Sequence, residues 1–163
     1  MIVVVLLSFL ALILTILESV GKLRGGMKIG FILVTILSVV RYNYGNDYMS
    51  YYEVYNKIVQ YKSITDVLNV ELFRDVGWSA LNYIFKYLGG FFALVGAISI
   101  FEGVTFYKTI KRYLPKKLWW FGIFIYLFTT SFYLLNLSML RQGLVVTIFL
   151  SVLPLILNRR WLL

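Results

Sequence analysis

The chain has 163 residues, of which 61% are hydrophobic, 18% aromatic and only 14% charged. Soluble domains are about half apolar and a quarter charged, so this composition excludes an ordinary soluble domain and predicts an integral membrane protein. Cysteine and histidine are both absent, which excludes disulfides, a thiol nucleophile, an imidazole base and a Cys/His zinc site within the chain. Any acid–base chemistry therefore falls to carboxylates, Lys or Tyr.

Five apolar segments approach the length of about 20 residues that a membrane-spanning helix requires. They lie at residues 1–17, 27–43, 89–107, 118–135 and 141–157. A long mixed segment, residues 41–88, separates the second from the third, and a short turn is predicted at residues 136–142. The predicted fold class is an all-α polytopic membrane protein, a single integral membrane domain of about five transmembrane helices.

The loop at residues 41–88 is predicted to be partly helical. Residues 46–62 form one candidate helix, with Asn46 as its N-terminal cap. Residues 76–88 are apolar at helical spacing, which is typical of an interfacial or re-entrant helix.

Small residues recur four apart in the third span, at Gly89, Ala93 and Ala97, which predicts close packing against another helix. The same span contains Glu102, six residues before Lys108. This spacing places Glu102 in the cytoplasmic half of the span, where it either pairs with a basic residue or serves a helix contact.

The charge pattern assigns one orientation to all five spans. The net charge is +9, from 16 Lys and Arg against 7 Asp and Glu. The excess lies in the loops at residues 18–28, 108–117 and 158–160. Because cytoplasmic loops are enriched in Lys and Arg, these loops are predicted inside, and the N-terminus and the loop at residues 41–88 are predicted outside. Basic residues beside apolar spans do not indicate a nucleic-acid partner.

A cation and a carboxylate follow the second span closely, in the segment RYNYGNDY at residues 41–48. Arg41 presents a planar set of donors that can hold a phosphate, and Asp47 can accept a proton from a hydroxyl. The alternative is an interfacial salt bridge between these two residues.

Seven of the 13 tyrosines lie between residues 42 and 61. They are Tyr42, Tyr44, Tyr48, Tyr51, Tyr52, Tyr55 and Tyr61. Tyrosines at a membrane boundary usually form an anchoring belt, and the alternative is an aromatic platform for sugar rings.

Arg141 is the one charged residue between Lys117 and Arg159 in the sequence. It lies at the outer end of the last predicted span, where apolar segments flank it on both sides. A charge at the centre of a membrane helix costs roughly 2.5–3.5 kcal/mol on insertion scales, and such residues are candidates for function. The alternative is an arginine that extends to the membrane surface.

Three short motifs together resemble the EpsG family of bacterial membrane proteins. Residues 41–52, RYNYGNDYMSYY, resemble the family's "R…GtDy..Y" signature. Residues 75–82, DVGWSALN, resemble its "E-x-G-Y…LN" segment, and residues 138–143, SMLRQG, resemble its "s..RQg" motif. The motifs occur in the family's order, with Asp75 where the family has Glu. Family members are longer, so we expect this chain to be an N-terminal portion.

The resemblance implies a polysaccharide polymerase-type glycosyltransferase of exopolysaccharide or capsule biosynthesis. Its substrates would be undecaprenyl-diphosphate-linked repeat units at the outer face of the bacterial cytoplasmic membrane. Arg41 and Arg141 are then predicted to hold the diphosphate, and Asp47 to activate the acceptor hydroxyl. Asp75 is a second carboxylate in a base or binding role. The predicted substrate contacts are Gln142, Asp75, Tyr48, Tyr52 and Asn46.

No residue pattern requires a cofactor or a metal, although a divalent cation between a carboxylate and the diphosphate is compatible with the sequence. The expected partners are the lipid-linked glycan, the bilayer and other membrane proteins of polysaccharide assembly. Two other classes of function stay open: a non-catalytic scaffold or transporter subunit, and a glycosyltransferase that adds one sugar from a polyprenyl-phosphate donor.

Overall fold

The computed structural model describes residues 2–45, 47–69, 75–129 and 133–157, and the regular structure in these segments is entirely helical. The described helices are α1 Ile2–Ser19, α2 Gly26–Val39, α3 Tyr48–Ile58, α4 Ile64–Asn69, α5 Val76–Phe85, α6 Gly90–Tyr113, α7 Trp119–Phe128, α8 Tyr133–Ser138 and α9 Leu140–Leu157. A short 3-10 turn at Lys116–Leu118 precedes α7.

Helices α1, α6 and α9 are long and apolar enough to cross a membrane. They coincide with the spans predicted at residues 1–17, 89–107 and 141–157. Helix α6 continues to Tyr113, beyond the predicted end, because the basic residues that were assigned to a loop form its last turns. The described part of the chain is therefore all-α, with three candidate membrane spans.

The span predicted at residues 27–43 is shorter in the structure. Helix α2 has 14 residues, about 21 Å at the helical rise per residue, whereas the hydrocarbon core is about 30 Å thick. After α2 the chain turns through Asn43 and Gly45, which have φ angles of 48° and 81°. Left-handed backbone of this kind cannot continue a right-handed helix.

The span predicted at residues 118–135 is divided between α7 and α8. Thr129 follows α7 in an extended conformation, and residues 130–132 lie outside the described part of the chain. The two helices together follow the length of the bundle. Gly122 of α7 lies against Ile110 near the end of α6, and Ser138 of α8 lies against Gly45.

Three local predictions also need correction. The helix predicted at residues 46–62 is α3, which is shorter. Asp47 precedes it and makes no side-chain capping hydrogen bond. Asn46, the predicted cap, lies outside the described residues. The interfacial helix predicted at residues 76–88 ends earlier, at Phe85. The turn predicted at residues 136–142 is wrong, because α8 and α9 occupy most of it. Leu137 and Leu140 are buried there, so their apolar side chains hold the segment against the core.

Helices α1 and α2 form an antiparallel hairpin that Glu18 closes. Its carboxylate accepts hydrogen bonds from the backbone N–H groups of Gly25 and Met27, at 3.1 and 2.7 Å. The first N–H groups of a helix have no partner within the helix, and a carboxylate there also interacts favourably with the helix dipole. The acid at the end of α1 therefore determines where α2 begins.

Glycines allow α6 to lie close to α2, which runs antiparallel to it. Gly103 contacts Thr35 so closely that a Cβ atom would overlap the threonine side chain, whereas a Cβ atom at Gly96 would lie 3.6 Å from Val39. The predicted face at Gly89, Ala93 and Ala97 is different, since Gly89 precedes the helix and Ala97 is exposed. Membrane helices commonly approach each other through small residues, and here the glycines serve that purpose.

Gly103→Ala should lower the free energy of unfolding by about 1–3 kcal/mol, because the added methyl group must displace a stiff β-branched side chain. Gly96→Ala is the matched control on the same helix face, where the added methyl group meets only an ordinary contact. Thermal unfolding in detergent measures both variants. Equal midpoints for the two variants would contradict the close packing at Gly103.

Candidate functional site

Segments that are distant in sequence meet at one end of the bundle. Gly45, in the turn after α2, lies directly against Ser138 at the end of α8. Arg141, in the first turn of α9, donates through Nη1 to Oδ2 of Asp75, the residue before α5. All three sequence motifs therefore contribute to one region, although the first motif ends at Tyr52 and the last begins only at Ser138.

Tyr51 of α3 lies between two of the predicted site residues. Burial raises the pKa of its phenol; nearby Arg141 opposes this increase and Asp47 adds to it. The phenol therefore stays protonated at neutral pH and can donate a hydrogen bond. Asp47 and Arg141 therefore both act on the same phenol, that of Tyr51.

The ion pair of Arg141 and Asp75 is open to solvent, with side chains 48% and 50% exposed. A cation in the first turn of a helix is unfavourable for the helix dipole, so this position does not stabilise α9. Exposed ion pairs contribute about 0–1 kcal/mol. A competing anion can therefore replace the Asp75 carboxylate at little energetic cost.

The ion pair lies at the end of an apolar groove of about 620 Å³ between α5 and α9. Trp78 and Leu81 line it from α5, and Val145 and Ile148 from α9. Seven residues, or about 10 Å of helix axis, separate Arg141 from Ile148. One end of the groove is charged and the rest is apolar, so the groove matches the two parts of an amphiphilic molecule. The charged end is the ion pair. We name this groove the outer groove.

Arg41 is not exposed with Arg141 but is buried, with 7% of its surface accessible. Its guanidinium nitrogens have no hydrogen-bond partner within the described residues. The strongest opposing charge on it is Glu102 of α6. The alternative of a salt bridge between Arg41 and Asp47 is wrong, because the described residues form only the ion pair at Arg141. Arg41 instead faces inward.

Glu102 is buried halfway along α6, and its Oε1 atom has no hydrogen-bond partner in the part of the chain described. Its depth in the cytoplasmic half of the span stays a prediction, and the basic residue that acts on it is Arg41. Isolated charges are very costly in an apolar interior. The two residues therefore interact as buried opposite charges, without the direct contact of an ion pair within the described residues. We call them the buried charge pair.

Gly143 of α9 makes room for this pair. A Cβ atom there would overlap Oε1 of Glu102 and would lie 2.8 Å from Oδ1 of Asn136, which is buried on α8. The Nδ2 atom of Asn136 also has no partner among the described residues. Arg41, Glu102 and Asn136 form the buried polar cluster of the site. Unpaired buried polar groups are rare in native proteins and concentrate at functional positions.

Sequence reasoning singled out Glu102 but did not connect it to the site. An acidic residue inside an apolar span is a signal of function by itself, but the sequence does not indicate which basic residue lies near it. Asn136 carried no comparable signal, because one amide in a predicted turn is ordinary.

Part of the tyrosine group forms a packed core instead of a surface. Tyr48, Tyr52 and Tyr55 surround Phe91 of α6, with ring centroids 5.5, 5.3 and 5.6 Å from it. Tyr48 is almost fully buried, and its hydroxyl donates to the Arg41 carbonyl at 3.4 Å. These rings attach α3 to α6 and so hold Asp47 and Tyr51 in place.

The remaining predicted contacts are accessible or undescribed. Gln142 is exposed beside Arg141, and Tyr52 is half-buried, whereas Asn46 lies outside the described residues. Asp75 contacts Arg141, and Asp47 acts on the same Tyr51 phenol as Arg141 does. Within the described ranges, no group of three or more acidic, His or Cys residues comes together as a metal site.

A model of the EpsG family matches residues 27–163 of the chain. This match covers all three motifs and every residue of the buried polar cluster. No curated protein matches the chain, and no solved structure matches it either.

The buried charge pair predicts a non-additive double-mutant cycle. Glu102→Leu or Arg41→Met alone should destabilise the protein by about 3–5 kcal/mol, because each leaves an uncompensated buried charge. The double variant should be much more stable than the sum of these losses implies, since it removes both charges. Thermal unfolding in detergent provides the free energies.

Glu53→Gln is the control for this cycle, because Glu53 is an exposed acid on α3. It should change stability little and show no coupling to Arg41→Met. Additive losses in the Arg41 and Glu102 double variant would mean that the two charges do not stabilise each other.

Proposed function

Because the chain belongs to the EpsG family, we propose that it takes part in a polysaccharide polymerase-type glycosyltransfer. The substrates are undecaprenyl-diphosphate-linked repeat units, at the outer face of the cytoplasmic membrane, in exopolysaccharide or capsule biosynthesis. The observation that carries this proposal is the position of Arg141. This accessible arginine of the motif at residues 138–143 lies at the charged end of the outer groove. A lipid-linked diphosphate has the same division between charged and apolar parts.

Arg141 is the diphosphate-binding residue of the proposal. Its guanidinium group can donate two parallel hydrogen bonds to phosphate oxygens. It makes one described ionic contact, through Nη1 with Asp75, and this exposed pair is weak enough to exchange. When a diphosphate takes the place of the carboxylate, Asp75 is released beside the bound substrate.

Arg41, which the sequence also assigned to the diphosphate, has a different role in this proposal. Its guanidinium nitrogens are buried and interact electrostatically with Glu102, so we assign it to positioning. It holds the segment that carries Asp47, while Gly143 holds the start of α9 on the other side of Glu102.

The proposed reaction is a substitution at the anomeric carbon of the donor sugar. Asp47 accepts the proton of the acceptor hydroxyl, and the hydroxyl oxygen forms the new bond to the anomeric carbon. The bond from that carbon to the diphosphate oxygen breaks, and its electron pair leaves with the diphosphate. Arg141 stabilises the charge that develops on the leaving group.

Other residues of the region have supporting roles. In this proposal Gln142 and Tyr52 contact sugar hydroxyls, and Tyr51 donates a hydrogen bond near Asp47. If the reaction uses a divalent cation, Asp47 and Asp75 would provide hard oxygen ligands for it. Tyr48 contributes to packing, because it is 1% exposed.

The lipid chain of the substrate is assigned to the outer groove. Apart from the charged pair at its end, the groove is lined by apolar side chains. Its volume of about 620 Å³ falls within the range of about 300–1,000 Å³ that is typical of ligand sites. The chain would lie along α9 with the diphosphate at Arg141.

Asp47→Asn and Arg141→Ala should each abolish the polymer ladder in cells that carry the full gene, while membrane abundance is unchanged. Loss of a general base costs about 10²–10⁴-fold in rate, which is enough to remove long products. Glycan profiling by gel electrophoresis measures the ladder. Asp66→Asn is the matched control, because Asp66 is an exposed acid on α4 and should leave the ladder intact.

The alternative functions give different profiles in the same experiment. A scaffold or transporter subunit predicts an unchanged ladder for Arg141→Ala, together with a loss of polymer for Gly103→Ala, which disturbs helix packing. A transferase of single sugars predicts one added sugar and no ladder even for the unaltered protein. Surviving polymer in Asp47→Asn would remove that residue as the base.

The outer groove predicts a difference between two neighbouring valines of α9. Val145 lines the groove, whereas Val146 is exposed but lies outside it. Val145→Trp should weaken binding of a fluorescent polyprenyl diphosphate in nanodiscs at least about tenfold. A loss of this size is expected when roughly two methylene groups of the lipid chain are no longer buried against the protein. Val146→Trp should bind normally. Equal affinities would exclude the groove as the path of the lipid chain.

A further inference from the structure

A second groove with a charged end and apolar walls lies away from the proposed site, between α2 and α6. It has a volume of about 370 Å³, and the side chains of Ile32, Ile36, Ile100 and Val104 line its apolar walls. Lys28 and Lys108 line it as well. We name it the inner groove.

The close contact of the two helices forms the floor of this groove. Gly103 lies directly against Thr35, so the helices approach closely enough to leave a shallow channel. Phe31 and Tyr107 meet edge to face, with ring centroids 5.8 Å apart, on the side of this contact toward the lysines. Aromatic side chains at this level are typical of the boundary between the membrane interior and the headgroups.

The charge at this end of the groove is positive and has no acidic neighbour in the lining. Lys28 and Lys108 are both exposed, and no Asp or Glu of the described residues lines the groove with them. The carboxylate of Glu18, in the last turn of α1, accepts hydrogen bonds from the backbone N–H groups at the start of α2 instead. The segment after Lys108 adds Lys111, Arg112, Lys116 and Lys117.

The polarity of the two grooves is opposite along the bundle. The inner groove has its charge near the start of α2 and the end of α6, whereas the outer groove has its charge at the start of α9. The positive-inside rule places the lysine end at the cytoplasmic face, so the inner groove opens to the other leaflet. Basic pockets between membrane helices on that face are suited to anionic headgroups.

We propose that the inner groove binds an anionic phospholipid of the cytoplasmic leaflet. The ammonium groups of Lys28 and Lys108 hold its phosphate, and one acyl chain lies along Ile32 and Ile36. A soluble anion would gain nothing from the apolar walls, and an acidic protein segment could not enter the membrane interior beside them. The lipid serves as a bound structural ligand that keeps α2 and α6 together, and this role is independent of the glycosyltransfer proposed above.

The test uses the full chain in nanodiscs of phosphatidylcholine that contain a minority of phosphatidylglycerol. Native mass spectrometry after transfer to detergent measures the ratio of the two lipids that stay bound. The unaltered protein should retain phosphatidylglycerol preferentially. Lys28→Gln combined with Lys108→Gln should reduce this preference about tenfold or more, since each lysine near an anionic headgroup contributes about fivefold in affinity.

The matched control is Lys116→Gln combined with Lys117→Gln, which removes the same charge at the same end of the bundle but outside the groove. It should keep the preference within about twofold, because it leaves both groove lysines in place. Equal losses in the two double variants would show that only the general surface charge attracts the lipid, and would overturn the proposal.

A second pair of variants tests the acyl-chain part of the groove without changing any charge. Ile36→Trp fills the groove, whereas Ile29→Trp adds the same side chain to an exposed position of α2 outside it. Ile36→Trp should lower phosphatidylglycerol retention, and Ile29→Trp should not. Unchanged retention in Ile36→Trp would overturn the proposal, and so would equal retention of the two lipids by the unaltered protein.

Discussion

A guanidinium group buried in an apolar interior needs an opposing charge, and the pairing of Arg41 with Glu102 is the constraint on which the rest of this structure depends. Arg41 follows the end of α2 and interacts electrostatically with Glu102 in the middle of α6. Gly143 then brings the first turns of α9 against the same carboxylate. Since a broken buried pair is strongly destabilising, the segments that carry Asp47 and Arg141 have little freedom to separate. The positions of Asp47 and Arg141, which the proposed reaction uses, thus depend on a charge pair that is itself buried.

Around this pair, the helices leave two grooves of similar design but different chemistry. The outer groove ends in a mixed pair of charges, Arg141 and Asp75, which can exchange one anion for another and suits a substrate that must leave. The inner groove ends in the cations Lys28 and Lys108, with no acid in its described lining, and suits a ligand that stays. Small residues at the inner groove and the short helix α5 at the outer groove keep neighbouring backbones close. Neither fills the space beside the contact, and this space is the groove.

Much of the fold could be predicted from the sequence, but not where each helix stops. Three of the predicted apolar segments are helices long enough to span a membrane. They could be predicted because the hydropathy of a segment depends only on its own residues. The end of α2 and the division of the next-to-last apolar segment could not be predicted in this way. Left-handed backbone at Asn43 and Gly45 prevents the chain from continuing as a helix after α2, and the extended backbone of Thr129 ends α7. A hydropathy window detects neither.

The sequence by itself determined the membrane class, the family through three short motifs, and the candidate residues Arg141, Asp75 and Asp47, because composition and motif order are properties of the chain alone. Only the tertiary structure decided that Arg41 faces inward, that its partner is Glu102 rather than Asp47, and that Asn136 and Gly143 complete the cluster. The physical reason is that electrostatic pairing depends on distance in space. The helices that carry these residues become neighbours only when the apolar core and the glycine contacts assemble.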